Sequence, residues 1–274
     1  MIGLTIGIVF GFVALVFGLR WLETAMTFQP VRVAAGQELA APAGAENVWF
    51  NSADGTRLHG WFFHAESNPE TATVIYFHGN GGNISNVSWV GQWYAKRGFN
   101  VLLFDYRGYG ASEGKVGSES GLYADGDAAV AFVVNERGVR PNSVVLHGQS
   151  LGTAIAADVA SRQKVGAVIL ESGFSSSSSV ASTALPWLPR WLHFLSKNRF
   201  ESARKLAAVK APVLITHGDP DPVLPTAEAQ LLFAAANEPK QLLILREGGH
   251  NLFGSLGDQY LNQVEQFIRQ SLQR

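Results

Sequence analysis

The chain of 274 residues contains no cysteine, which excludes disulfide bonds, thiolate metal sites and a cysteine nucleophile. Its histidines and carboxylates do not cluster at ligand spacing, so we predict no metal and no other cofactor. The formal net charge is only −1 and no basic stripe with interleaved aromatic residues is present, so nucleic-acid binding is not expected. With 47% hydrophobic residues, the chain can bury the core of a single large domain.

Charge is also absent from the beginning of the chain, where residues 2–19 form an uncharged, mainly apolar run. A helix of that length spans about 27 Å, close to the ~30 Å of a hydrocarbon core. No Lys or Arg precedes Arg20 and residues 22–25 make a poor cleavage site, which argues against a removed signal peptide. We therefore predict a single-pass transmembrane anchor at residues 1–22, followed by a linker at 23–45.

Two arginines follow this run and bear on its orientation. Arg20 and Arg32 favour the cytoplasmic side for the remaining domain, and the periplasmic or extracellular side stays open.

Gly3, Gly7 and Gly11 repeat at four-residue spacing, which gives a small-residue face for close packing of two chains. A homodimer through these glycines is one prediction of the sequence.

From residue 46 onwards, apolar strand-like runs alternate with helical stretches. Two short strands joined by the Asp54–Gly55 turn predict an antiparallel hairpin at a sheet edge. The alternation that follows predicts an α/β fold over residues 46–274, with a mostly parallel sheet and helices on both faces. It is interrupted once, and we expect a small lid at about 175–204.

The expected lid has an unusual composition. It begins with five serines at 175–179, which we interpret as a hinge, and two prolines prevent one long helix over 185–195. Its aromatic residues face either an acyl chain or a lipid surface in our interpretation, with packing inside the lid as the alternative. The tentative substrate-binding residues are Trp187, Trp191 and Phe194.

The pentapeptide Gly148–Gly152 has the pattern Gly-x-Ser-x-Gly, and its context makes it informative. It lies between an apolar run at 144–146 and an Ala-rich helical stretch at 153–160. A strand that ends, turns on two glycines and begins a helix would strain the backbone of Ser150 and present its hydroxyl beside a helix N-terminus. Such a serine is placed to attack a carbonyl, whereas an ordinary Gly/Ser turn is the alternative for the motif alone.

A serine nucleophile needs a base, and the base needs an acid that orients it. Downstream, an apolar run at 213–216 precedes a proline-rich loop with Asp219 and Asp221, and a Gly-Gly loop after the run at 241–245 carries His250. The chain order Ser, Asp, His is the one used with this type of turn. We predict His250 as the base and favour Asp221 over Asp219 as the acid, with Asp219 bracing the turn.

The negative oxygen that forms during acyl transfer needs preorganised donors. One predicted donor is the backbone N–H of Leu151, directly after the serine. The other should come from the Gly-rich loop that follows the strand at 73–77, where glycines let the backbone approach a ligand closely. We predict the N–H of Asn80, with an ordinary Gly/Asn turn as the alternative.

Five motifs together resemble the α/β-hydrolase family. They are His-Gly-Asn-Gly-Gly at 78–82, Asp-Tyr-Arg-Gly-Tyr-Gly-x-Ser at 105–112, Gly-Gln-Ser-Leu-Gly at 148–152, His-Gly-x-x-Asp at 217–221 and Gly-His at 249–250. Within the family, the chain is similar to a branch of membrane-anchored or membrane-associated serine hydrolases. That branch includes lysophospholipid lipases, protein depalmitoylases and uncharacterised bacterial proteins.

This resemblance covers roughly residues 45–270. It implies a triad of Ser150, Asp221 and His250, and an oxyanion hole formed by Asn80 and Leu151. In the motif at 105–112 we expect Arg107 to brace the loop rather than to take part in chemistry.

The expected activity is hydrolysis of carboxylic ester or thioester bonds through an acyl-enzyme. The apolar N-terminus and the aromatic lid favour acyl, lipid-like substrates. A peptidase or amidase with the same triad stays open, and a non-catalytic binding protein that retains the hydrolase fold is a third alternative.

Overall fold

The secondary structure alternates strands and helices from residue 45 onwards. The computed structural model describes residues 2–34, 39–66, 72–187 and 189–273, and only the backbone at residues 2–9, 12, 190 and 194. The strands in this part of the chain are β1 (Gln29–Pro30), β2 (Ala45–Asn51), β3 (Arg57–Phe63), β4 (Thr73–Phe77), β5 (Gly81–Gly82), β6 (Asn100–Phe104), β7 (Val144–Gln149), β8 (Ala167–Glu171), β9 (Val213–Gly218) and β10 (Lys240–Leu245). The α-helices are α1 (Ile2–Thr27), α2 (Ser88–Lys96), α3 (Glu119–Ala131), α4 (Leu151–Arg162), α5 (Ser177–Ala184), α6 (Ser202–Leu206), α7 (Ala227–Ala235), α8 (Leu252–Leu256) and α9 (Asp258–Leu272).

Eight strands form one twisted sheet in the order β10-β9-β8-β7-β4-β6-β3-β2. The six strands from β10 to β6 run parallel, and β3 pairs antiparallel with both β6 and β2. The β2–β3 pair is the hairpin expected around the Asp54–Gly55 turn, in register from Ala45 opposite Phe63 to Asn51 opposite Arg57. The predicted mostly parallel sheet with an antiparallel edge is confirmed.

Helices cover the sheet on both faces. Successive side chains of its central strands therefore point alternately into two hydrophobic clusters. On β4, Ile75 and Phe77 pack with α3 and α4 in one cluster. Val74 and Tyr76 pack with α2 and α9 in the other cluster. All four side chains are almost completely buried, which is typical of a parallel strand covered by helices on both sides. The expected α/β fold is thus confirmed.

Parallel strands bring all their carboxyl ends to one edge of the sheet, where ligand sites of such folds lie. β4 ends before the loop of Asn80, β7 ends at Gln149 directly before Ser150, and β9 and β10 end before the loops of Asp221 and His250. The topology therefore gathers residues that are far apart in the chain.

The N-terminal helix α1 extends beyond the anchor that the sequence predicts. Its last residue is Thr27, so the first residues of the expected linker 23–45 are helical. Among the described residues, no helix is both long enough and apolar enough to cross a membrane. The prediction of a transmembrane helix at 1–22 is therefore not supported.

Gly11 lies on an exposed part of α1, and the homodimer through Gly3, Gly7 and Gly11 stays a prediction.

The expected lid region consists of α5, a 3-10 turn at Arg190–Leu195 and α6. The two separate elements at 177–184 and 190–195 agree with the expectation that the prolines interrupt one long helix. The hinge expected at 175–179 stays a prediction, and the structure shows that Ser177–Ser179 belong to α5. Ser176 caps α5 by accepting a hydrogen bond from the amide of Ser179, and the buried Glu228 carboxylate accepts one from the amide of Ser175 at 2.6 Å.

Arg107 holds the loop after β6 through two carboxylates. Its Nη2 lies 2.7 Å from Oδ1 of Asp125, which is completely buried, and its Nη1 lies 2.7 Å from Oδ2 of Asp54 in the β2–β3 turn. Nη2 also donates to the hydroxyl of Ser52. Arg107 thus ties α3 and the hairpin to the loop, which confirms the expected bracing role.

Removal of this guanidinium should destabilise the fold. Arg107→Ala leaves the buried Asp125 carboxylate without its counter-ion, so we expect the free energy of unfolding to fall by about 3–5 kcal/mol. Arg204 pairs with Glu201 on the surface and its side chain is 74% exposed, so Arg204→Ala should cost no more than about 1 kcal/mol. Urea unfolding of both variants measures the difference, and equal losses would contradict the assigned role of Arg107.

Candidate active site

The turn between β7 and α4 has the strained geometry that the Gly-x-Ser-x-Gly pattern predicts. Ser150 has φ 52° and ψ −115°, a conformation that L-residues rarely adopt. The flanking glycines are required, since a Cβ on Gly152 would collide with the carbonyl oxygen of Phe77 and one on Gly148 with the carbonyl of Gly152. The hydroxyl of Ser150 therefore stands at the N-terminus of α4, where the helix dipole favours negative charge.

The structure brings Ser150, His250 and Asp221 into one hydrogen-bonded line. Nε2 of His250 lies 2.9 Å from Oγ of Ser150, and Nδ1 of His250 lies 2.8 Å from Oδ2 of Asp221. The imidazole thus has one nitrogen on the hydroxyl and the other on a carboxylate. This is the arrangement in which a histidine can accept the serine proton while the carboxylate orients the ring.

The two candidate acids occupy different positions. Oδ1 of Asp221 accepts hydrogen bonds from the amides of Val223 and Leu224. Burial alone would raise the pKa of Asp221, but the hydrogen bonds from His250 and from these two amides lower it below its usual value. Asp219 instead accepts the amide of Glu247 at 2.8 Å, so it braces the neighbouring loop, as the sequence predicts.

A buried carboxylate holds the segment that follows His250. Glu171 ends β8 and is completely buried, and its Oε1 accepts the amide of Leu252, two residues after His250, at 2.8 Å. Its Oε2 accepts the hydroxyl of Tyr260 at 3.3 Å and lies 3.3 Å from Nε2 of His147. The sequence reasoning missed Glu171, although a charged residue at the end of an apolar strand was a usable signal.

The loop after β4 runs beside the nucleophile. Gly79 approaches so closely that a Cβ would lie 3.6 Å from Cβ of Ser150 and would collide with the side chain of Gln149. The carbonyl of Asn80 accepts hydrogen bonds from the amide of Gln29 and the hydroxyl of Tyr109. Within the described ranges, the amides of Asn80 and Leu151 donate no hydrogen bond, and both residues line the cavity at Ser150.

His78 and Asp105 form a buried pair under this loop. Nε2 of His78 lies 3.6 Å from Oδ1 of Asp105, and the same oxygen accepts the amide of Ile84 at 2.9 Å. Burial raises the pKa of Asp105 to about 8, although the bond from Ile84 opposes the shift, and burial lowers the pKa of His78 to about 4. Burial thus favours the neutral form of both groups, as expected for side chains without access to water.

A cavity of about 370 Å³ opens onto Ser150, Leu151 and Asn80. This volume is within the usual range for small-molecule sites. The lining is mainly apolar and comes from α1, α5 and the 3-10 turn at Arg190–Leu195. The described residues of the lid that line it include Val180, Ala181 and Leu192.

Two of the three tentative substrate-binding residues of the lid do not line this cavity. The side chains of Trp187 and Trp191 are 75% and 69% exposed, and neither lines the cavity. Of the two expected positions, beside an acyl chain or at a lipid surface, the first is not supported for these two residues, because the lid turns smaller side chains inward and leaves the indoles outside. The side chain of Phe194 lies outside the described residues.

Comparison with known proteins agrees with this fold. A family model described as serine aminopeptidase, S33, matches residues 68–207. The uncharacterized protein YfhR of Escherichia coli K12 is 37% identical over 240 residues, which is 84% of this chain and 83% of that protein. The chain belongs to the α/β-hydrolase family.

Other relatives extend the similarity to eukaryotes and to solved structures. Alpha/beta hydrolase domain-containing protein 17B of Xenopus tropicalis is 34% identical over 220 residues, 80% of this chain and 73% of that one. The esterase Pf2001 of Pyrococcus furiosus superposes with a TM-score of 0.71 at 20% identity, over 89% of this α/β hydrolase and 99% of that chain. At this identity the superposition shows a shared fold.

The buried pair of His78 and Asp105 under the loop after β4 predicts a pH effect on stability. The pKa of Asp105 rises from its ordinary 3.8 to about 8 in the folded state. Between these values the unfolded chain releases a proton that the folded chain keeps, so rising pH favours unfolding. Asp105→Asn abolishes this proton release, and wild type should lose stability relative to the variant from pH 5 to pH 8. Urea unfolding at both pH values tests this, and parallel pH profiles would contradict it.

Proposed function

We propose that this α/β hydrolase is a serine hydrolase that cleaves carboxylic ester or thioester bonds of acyl, lipid-like substrates. The observation that carries the proposal is the hydrogen-bonded line from Oγ of Ser150 through His250 to Asp221, at 2.9 Å and 2.8 Å. An unactivated serine hydroxyl is a weak nucleophile, and an imidazole within hydrogen-bonding distance is what activates it.

The reaction follows from these positions. As Oγ of Ser150 attacks the carbonyl carbon, Nε2 of His250 takes its proton, and the Asp221 carboxylate stabilises the imidazolium. The carbonyl oxygen becomes negative and is stabilised by the amides of Asn80 and Leu151 and by the N-terminus of α4. The imidazolium then protonates the departing alcohol or thiol. Water, deprotonated by the same nitrogen, hydrolyses the acyl-enzyme and restores Ser150.

The chemistry of the cavity supports an acyl chain as the bound group. The surface beyond Ser150 is mainly aliphatic, so it gains free energy by covering methylene groups. The esterase Pf2001 and acetyl xylan esterase 1 from Thermoanaerobacterium, with a TM-score of 0.64 and 19% identity, are described as esterases. We extend ester hydrolysis from those proteins to this chain as part of the proposal.

A peptidase or amidase is the second candidate, and the description of the matching family model favours it. An aminopeptidase needs an acidic group to bind the substrate ammonium. Among the described residues of the cavity, Glu23 is the only carboxylate. Its two oxygens already accept hydrogen bonds from Ser196, Lys197 and Asn198. The cavity therefore suits an uncharged chain better than a peptide N-terminus.

Membrane association and a cytoplasmic domain stay predictions. Trp21 is 73% exposed and, with the exposed Trp187 and Trp191, supports contact with a lipid surface, because tryptophan is enriched at membrane interfaces.

The nucleophile and base can be tested with a fluorophosphonate probe. We expect the probe to label wild type, not to label Ser150→Ala, and to label His250→Ala only weakly, because the hydroxyl then lacks its base. Turnover of acyl esters should fall by at least about 10³-fold in both variants. Ser161→Ala, on the far end of α4, is the matched control and should behave as wild type. Equal labelling of wild type and Ser150→Ala would exclude Ser150 as the nucleophile, whereas no labelling of wild type would favour a binding protein.

The two aspartates can be separated by conservative substitution. Asp221→Asn replaces the carboxylate at Nδ1 of His250 with a neutral amide that neither stabilises the imidazolium nor holds the ring in one tautomer, so we expect kcat to fall by about 10⁴-fold. Asp219→Asn keeps an oxygen for the amide of Glu247 and should retain activity close to wild type. Steady-state ester hydrolysis measures both, with thermal unfolding as the control for folding. A larger loss in Asp219→Asn would reverse the assignment.

A further inference from the structure

The end of the N-terminal helix forms part of the cavity that opens onto the nucleophile. Leu19, Leu22 and Met26 of α1 line it beside α5, together with Glu23 and Thr27. These positions recur at intervals of three and four residues, so they lie on one face of the helix. One wall of the site therefore comes from a segment that precedes the hydrolase domain in the chain.

Glu23 attaches this wall to the segment at the end of the lid turn. Its Oε1 accepts hydrogen bonds from the hydroxyl of Ser196 and the amide of Asn198, each at 2.8 Å. Its Oε2 accepts the amide of Lys197 at 3.0 Å. Hydrogen bonds to a carboxylate are stronger than neutral ones. A single side chain thus holds three consecutive residues against α1.

The residues after α1 pair with the loop after β4, which carries the proposed oxyanion donor, Asn80. β1 pairs in parallel with β5, with Gln29 opposite Gly81 and Pro30 opposite Gly82. The amide of Gln29 donates to the carbonyl of Asn80 at 3.0 Å, and the amide of Val31 donates to the carbonyl of Gly82 at 3.0 Å. Backbone pairing of this kind fixes where the loop lies relative to Ser150.

Phe28 joins the two attachments. It lies between α1 and β1, is almost completely buried, and packs edge-on against Phe200 with ring centroids 6.3 Å apart. Phe200 itself lines the cavity and its amide donates to Glu119 of α3. The segment is therefore held at Glu23, at Phe28 and along β1.

We propose that residues 19–31, here called the N-terminal arm, form the acyl-chain wall of the active site and set the chain length that the enzyme accepts. The inference rests on the proposed ester or thioester hydrolysis and adds a specificity element to it. The arm places Leu19, Leu22 and Met26 beside the acyl chain, and Glu23 positions them through the lid segment.

Larger side chains on this wall should shorten the acyl chain that the enzyme accepts. Leu19→Trp and Met26→Trp each add bulk to the cavity without altering the triad. Because one methylene in an apolar pocket is worth about tenfold or more in kcat/KM, we expect the kcat/KM ratio of para-nitrophenyl dodecanoate to para-nitrophenyl acetate to fall at least about tenfold. Leu15→Trp is the matched control, since Leu15 and Met26 on the same helix are both 54% exposed and only Met26 lines the cavity. It should keep the wild-type ratio.

Glu23 gives a second, graded readout. Glu23→Gln keeps the oxygen that accepts from Ser196 and Asn198 and loses the partner of Lys197, whereas Glu23→Ala loses all three bonds. The dodecanoate-to-acetate ratio should therefore decrease from wild type to Glu23→Gln to Glu23→Ala. A side chain needed only for stability would lower both activities together and leave the ratio unchanged.

The assays use the whole 274-residue chain. An unchanged ratio in both tryptophan variants, or an equal change in Leu15→Trp, would overturn the role of the arm while the wild-type enzyme remained active. Absence of any ester turnover and of phosphonate labelling in wild type would overturn the proposed function, and the inference with it.

Discussion

The strained turn at Ser150 is the constraint on which the rest of the site depends. Its backbone conformation is held because Gly152 packs directly against the carbonyl of Phe77, so α4 and β4 must lie in close contact. β7 occupies the middle of the sheet, between β4 and β8. The groups that meet Oγ of Ser150 therefore come from the ends of nearby parallel strands, and the chain supplies them from positions up to 100 residues away.

Carboxylates organise the loops around this turn. Three glutamates accept backbone amides from helix ends or loops: Glu171 from Leu252, Glu228 from Ser175 and Glu23 from Asn198. A buried amide without an acceptor costs about 1–3 kcal/mol, so one carboxylate that accepts several donors can determine the position of a whole loop. Asp221 works in the same way, since one oxygen holds the amides of Val223 and Leu224 and leaves the other for His250.

Local patterns in the sequence predicted the elements that depend on neighbouring residues. The strand, tight turn and helix around Gly148–Gly152, the hairpin at Asp54–Gly55 and the interruption of the lid at its prolines are all present. Each follows from backbone restrictions of glycine and proline or from alternation of apolar residues. The choice between Asp219 and Asp221 depended on the tertiary structure, because both residues lie in the same loop and both are flanked by proline.

The sequence by itself determined the sheet, the order of the motifs and the residues able to supply a nucleophile, a base and an acid, since these depend on periodicity and chain order. Only the tertiary structure decided which side chains line the cavity at Ser150. It turned Trp187 and Trp191 to the outside and brought Leu19, Leu22 and Met26 of α1 to the cavity. The physical reason is that hydrophobicity is non-directional. Apolar residues on a helix therefore do not specify what they face, and the position of α1 follows from the long-range hydrogen bonds of Glu23 and β1, which no local pattern encodes.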